Sequence, residues 1–98
     1  MKKVLINFDV SSTLIECPDF IAENFEEYID GIYDWIKVTP EGAKYKRKLS
    51  AREVGCIISA ESILEYLNTV CLKDNKEKAV ILKEKASGKE KAFYTADF

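Results

Sequence analysis

Residues 18–37 read PDFIAENFEEYIDGIYDWIK, and the period of this stretch decides the fold. At 100° per residue, Ile21, Phe25, Tyr28, Ile29, Ile32 and Ile36 fall on one side. Glu23, Glu27, Asp30 and Asp34 fall opposite, within an arc of about 60°. Pro18 suits the first turn of a helix, where its missing N–H costs nothing. The spacing predicts one amphipathic helix over residues 18–36. Gly31 lies on its flank, at a cost of about 1 kcal/mol relative to alanine. Each large apolar residue buried on the inner face contributes about 1.5–3 kcal/mol.

A strand precedes this helix. Residues 2–9 alternate, with Val4, Ile6 and Phe8 on one side and Leu5 on the other, and residues 12–17 can pair back with them as a hairpin. After the helix, Thr39-Pro40-Glu41-Gly42 signals a turn in which Gly42 is free to take a positive φ. Residues 43–52 are basic and weakly patterned, as in an exposed edge strand or loop. Ser50-Ala51-Arg52-Glu53 fits a capping box, but Gly55 interrupts that pattern, so residues 54–58 read as a short strand. Ser59 then caps a second helix at 60–72, with Ile63, Leu64, Leu67, Val70 and Cys71 as its stripe. Residues 79–84 and 90–95 flank Ala86-Ser87-Gly88-Lys89 and read as a terminal β-hairpin. The expected class is α+β: one small domain, with two helices (about 18–36 and 60–72) packed on a mainly antiparallel sheet of four to five strands.

At 98 residues, the chain has the length of one domain with one modest core. No run approaches the roughly 18–20 apolar residues of a membrane span. The apolar start, residues 4–6, ends at Asn7 and Asp9, too soon for a signal peptide. Cys17, Cys56 and Cys71 form an odd, widely spaced set among apolar neighbours. They read as reduced, partly buried thiols of a cytoplasmic protein, not as a disulfide framework. The chain has no histidine. That removes Ser–His and Cys–His nucleophile pairs and the usual zinc sites. Cys17, just ahead of Pro18, is the one thiol beside a helix start, where a pKa can be lowered. A structural role is the expected one. The glycines are isolated, so no phosphate-binding loop is present. No cofactor and no metal is expected; the carboxylates lack an Asp-x-Asp-x-Asp-Gly calcium loop.

The net charge of −2 hides strong segregation. Between Asp9 and Ile36 stand Asp9, Glu16, Asp19, Glu23, Glu26, Glu27, Asp30 and Asp34, with no Lys or Arg. Residues 37–52 then carry Lys37, Lys44, Lys46, Arg47, Lys48 and Arg52 against Glu41 alone. Like charges at i,i+3 and i,i+4 each destabilise an isolated helix by about 0.2–0.5 kcal/mol. The acidic face is therefore a tolerated cost, explained as a solvated face, as one neutralised within the fold by Lys44, Lys46, Arg47, Lys48 and Arg52, or as a docking ridge for a basic partner.

One short motif bears on chemistry. Val4-Leu5-Ile6-Asn7-Phe8-Asp9-Val10-Ser11-Ser12-Thr13 resembles the first motif of the haloacid dehalogenase phosphatases, an apolar strand followed by Asp-x-Asp-x-Thr. The resemblance would make Asp9 the nucleophile and match Thr13 to the motif's threonine. Ser11 stands where that family has its general acid, and Ser12 replaces the usual glycine. The likeness covers about a dozen residues, and it implies a doubly wound sheet with a later lysine and an acidic pair. We therefore expect a non-enzymatic protein-binding module, of inhibitor, immunity or accessory type. Its site would be Glu23, Glu27, Asp30 and Asp34, and its partner a protein with a basic surface, with no membrane involved. The alternative is a small nucleic-acid-associated regulator using Lys44, Lys46, Arg47, Lys48 and Arg52. A degenerate phosphatase-like motif at Asp9 comes third.

Overall fold

A computed structural model describes all residues, 1–98. Strands Lys2–Asn7 (β1) and Ser12–Cys17 (β2) form the expected antiparallel hairpin, in register from Lys2↔Cys17 to Asn7↔Ser12. A tight turn joins them, closed by Phe8 N–H donating to the Ser11 carbonyl at 2.7 Å.

The acidic helical region follows as three segments: Asp19–Glu23 (α1), Phe25–Ile29 (α2) and Ile32–Val38 (α3). The single helix read from the period is thus broken, and the break is sharpest at Asn24, whose φ of −132° and ψ of 37° leave the helical region. Its side-chain amide donates to the Phe20 carbonyl at 3.2 Å, a local bond by which asparagine competes with the helix ladder. Asp30 and Gly31 keep near-helical angles. The inward face survives these breaks: Ile21, Ala22, Phe25, Ile29, Ile32, Trp35 and Ile36 are all buried. Tyr28, assigned to that face, is only half-buried.

The chain then turns through a 3-10 segment, Ala43–Tyr45, into the antiparallel ribbon Lys46–Lys48 (β3) and Val54–Cys56 (β4). The strand reading of 54–58 holds for Val54–Cys56, and within residues 43–52 only Lys46–Lys48 takes the edge-strand form. Gly42 does not use a positive φ; its φ is −83°. Close approach demands glycine there instead, since a Cβ would lie 2.2 Å from the Trp35 carbonyl oxygen. Tyr45 packs on Trp35 with ring centroids 6.0 Å apart, and this holds the ribbon against α3.

Ser59 caps Ala60–Tyr66 (α4), its hydroxyl accepting from Ser62 N–H at 3.2 Å while Ser59 N–H donates to Ser62 Oγ at 2.9 Å. The helix continues as a π turn, Leu67–Cys71, closed by Leu72 N–H on the Leu67 carbonyl. That change of pitch corrects the expected stripe. Tyr66, Leu67 and Leu72 are buried, whereas Val70 is exposed. Asn68 then clamps the following chain, its side chain both accepting from Ala79 N–H (2.7 Å) and donating to the Ala79 carbonyl (3.0 Å).

Strands Val80–Lys83 (β5) and Tyr94–Asp97 (β6) do not form the terminal hairpin read from the sequence. The sheet order is β5-β2-β1-β6, with β5 antiparallel to β2 and β6 parallel to β1, so the two strands occupy opposite edges. The connection 84–93 crosses between them, anchored by Ala86 N–H on the Ser12 carbonyl and Phe93 N–H on the Lys3 carbonyl. Leu5 (1% exposed) and Leu14 (3%) are also buried, although they alternate away from the helix-facing Val4, Ile6 and Ile15. The result is an α+β domain with a mainly antiparallel four-stranded sheet, helices on one face, and a separate two-stranded ribbon.

Candidate functional site

Because every inward residue of 19–38 is apolar, the carboxylates that alternate with them are turned to solvent. Glu23, Glu26, Glu27, Asp30 and Asp34 are all exposed. Glu23 meets Lys2 Nζ at 3.7 Å, and Glu26 accepts a hydrogen bond from the Tyr94 hydroxyl at 2.6 Å. Glu27, Asp30 and Asp34 take part in no ion pair. Asp19, at the start of the ridge, binds the Met1 amino group at 2.9 Å, and that hydrogen bond holds its carboxyl below the ordinary value. The hydrogen bond to Glu26 raises the pKa of Tyr94.

The basic segment does not neutralise this ridge. Lys44 pairs with Glu65 of α4 at 2.5 Å, and Lys46, Arg47, Lys48 and Arg52 are exposed and join no ion pair. Internal pairing between the acidic block and residues 44–52 is therefore absent. The carboxylates Glu23, Glu27, Asp30 and Asp34 are exposed on and between the three helical segments, and Lys46, Arg47 and Lys48 on the ribbon.

Asp9 is exposed in the turn between β1 and β2. The chain returns from it at once into an antiparallel neighbour, so the sheet is not the doubly wound one implied by the phosphatase-like motif. Cys17 is fully buried at the end of β2, and burial pushes its thiol up to about 11, the reverse of activation. No group of carboxylates or thiols is arranged to ligate a metal ion.

One concavity was not legible beforehand. A groove of about 490 Å³ opens where Phe8 and Val10 of the first turn, Tyr33 of α3 and Ile57 after the ribbon converge, with Asp9 and Arg47 also lining it. These residues come from four separated segments, so no local spacing reports them. The one signal in the sequence is the apolar Val10 inside a polar turn, and this side chain is 96% exposed.

The fold is a small α+β domain with exposed carboxylates along its three N-terminal helical segments and an exposed basic ribbon held against α3. No protein-family model, no curated protein and no solved structure matches this chain. No helix is long and apolar enough to cross a membrane.

Proposed function

We propose that this protein is a non-enzymatic binding module whose acidic ridge, Glu23, Glu27, Asp30 and Asp34, engages a basic surface on a protein partner. The observation that carries this reading is the exposure of these carboxylates without neutralisation by residues 44–52. The chain accepts clustered like charge on one face, and complementary charge on a partner would relieve it while speeding encounter. A reducing compartment such as the cytoplasm suits three free thiols. The test is the quadruple variant in which the two Glu become Gln and the two Asp become Asn. It should keep the fold, at equal or slightly greater stability, since none of the four residues has a strong internal partner. Capture of the basic partner from host lysate should be lost, and the salt dependence of its association rate should weaken. A quadruple variant that loses stability, or one that still captures the same partner, refutes the reading.

A second reading has its own supporting observation. Lys46, Arg47 and Lys48 lie on a two-stranded antiparallel ribbon and are exposed throughout. A ribbon of this kind is an element that the major groove of a duplex admits. Neutralising the three residues should flatten the log–log salt slope of duplex binding by up to about three units. A variant that binds duplex with unchanged slope excludes the ribbon.

A further inference from the structure

We propose that the free edge of β6 is the docking line for an extended basic segment of the partner, which adds to the sheet as a fifth strand. This deepens the reading of the acidic ridge and rests on it. β6 pairs on one side only, with β1. Phe98 N–H donates to the Asn7 carbonyl, and in the register Val4↔Tyr94 and Ile6↔Ala96 this turns the backbone groups of Tyr94 and Ala96 toward β1, so by alternation the N–H and C=O groups of Thr95 and Asp97 point outward. Such a row of unpaired groups is a template for strand addition.

The two edges of the sheet are guarded differently. β5 carries Lys83 within the strand, has Lys78 and Lys85 just beyond its ends, and shows a register shift against β2. These are the devices by which edges repel other strands. β6 has neither lysine nor proline. Its register with Val4 and Ile6 puts the Tyr94 and Ala96 side chains on the helix-facing side. On that side a shallow groove lies between α1–α2 and the edge, lined by Glu23, Glu26, Glu27 and Tyr94. A strand added about 4.8 Å beyond β6 would send every second side chain toward these carboxylates. The occupant is therefore an extended segment with Lys or Arg at alternate positions. A second copy of the chain is disfavoured, because edge-to-edge pairing would set one copy's carboxylates against the other's.

The probe is a capped eight-residue peptide alternating Lys with Thr or Val. Its controls are an isomer with the lysines clustered and a form N-methylated on alternate amides along one edge, in both registers. Binding is read by fluorescence anisotropy, and the amides of Thr95 and Asp97 by hydrogen exchange. The alternating peptide should bind at low salt and slow exchange at both amides at least tenfold. One N-methylated register should lose at least tenfold in affinity. If clustered and N-methylated forms bind as well as the alternating one, and Thr95 and Asp97 stay unprotected, the edge inference falls while the acidic ridge stands. If the alternating peptide fails to bind at millimolar concentration, the edge inference also falls; the quadruple variant then decides the ridge by partner capture alone. Protection of Thr95 and Asp97 without peptide, rising with protein concentration, would mean self-pairing and overturn the proposal.

Discussion

Substituting Gly31 by alanine sets a helix rule against a tertiary contact, and the two predict opposite signs. Alanine at an exposed helical site should stabilise, and relief of unfolded-state entropy is worth about 0.4–1 kcal/mol. The backbone itself permits alanine, since Gly31 has a φ of −73°. But a Cβ there would lie 2.3 Å from the Tyr66 hydroxyl oxygen. Ordinary contact needs roughly 3.4 Å, so the hydroxyl must retreat by about 1 Å. Tyr66 has little freedom to do so: it is buried, and its ring stands edge-on to Trp35 with centroids 5.6 Å apart. Overpacking of this kind costs about 1–3 kcal/mol. The net expectation for Gly31→Ala is a loss of about 1–2 kcal/mol, seen as a Tm lower by roughly 5–15 °C in thermal unfolding followed by circular dichroism. Tyr66→Phe removes the clashing oxygen and leaves the ring carbon, 3.3 Å away, as the nearest neighbour. In that background Gly31→Ala should therefore be close to neutral, with a coupling of about 1–2 kcal/mol across the double-mutant cycle. A Gly31→Ala variant that melts at or above wild type, or a cycle without coupling, would refute the packing of α4 against the ridge helices.

Two other outcomes follow from the core. Ile29 is buried at the end of α2, so Ile29→Asp would place an unpaired carboxylate in the core and should abolish cooperative unfolding in a domain whose total stability is only about 5–15 kcal/mol; melting within a few degrees of wild type would show that the inward face is misassigned. Burial raises Cys17 from 9.0 to about 11 and Tyr66 from 10.0 to about 12. Both folded-state values lie above the unfolded ones, so the fold favours the protonated forms; this stability is full below about pH 9 and is lost as pH rises toward 11–12. The urea midpoint should fall across that window, less steeply in Cys17→Ala, and a midpoint equally flat in both proteins would contradict the burial of these groups.

Local chemistry made much of the fold legible. The alternation of Val4, Ile6 and Ile15 marked the sheet face, the period of Ile21, Phe25, Ile29, Ile32 and Ile36 marked the inner side of the helices, and Ser59 marked the start of α4. These signals sit within one element, where burial selects residue type at a fixed period. The exposure of Glu23, Glu27, Asp30 and Asp34 followed from the same period, because an apolar face buried on one side leaves its opposite in water.

Relations between remote segments were decided only in three dimensions. The turn residues around Gly88 suited a hairpin, yet β5 and β6 took opposite edges. The hairpin of β1 and β2 leaves two free edges, and each accepts a strand whose side chains match its faces. Gly31 and Gly42 read as a flank and a turn, and became the points where Tyr66 and the Trp35 carbonyl come closest. Whether residues 44–52 pair with the acidic block was decided the same way. Lys44 could reach Glu65 of α4 and not the ridge, because the packing of Tyr45 on Trp35 holds the ribbon there. The sequence by itself determined which residues are apolar, where the period puts them, and how strongly charge is segregated. The tertiary structure alone decided which charges meet and which backbone edge stays open, because both depend on contacts between segments far apart in the chain that no local period encodes.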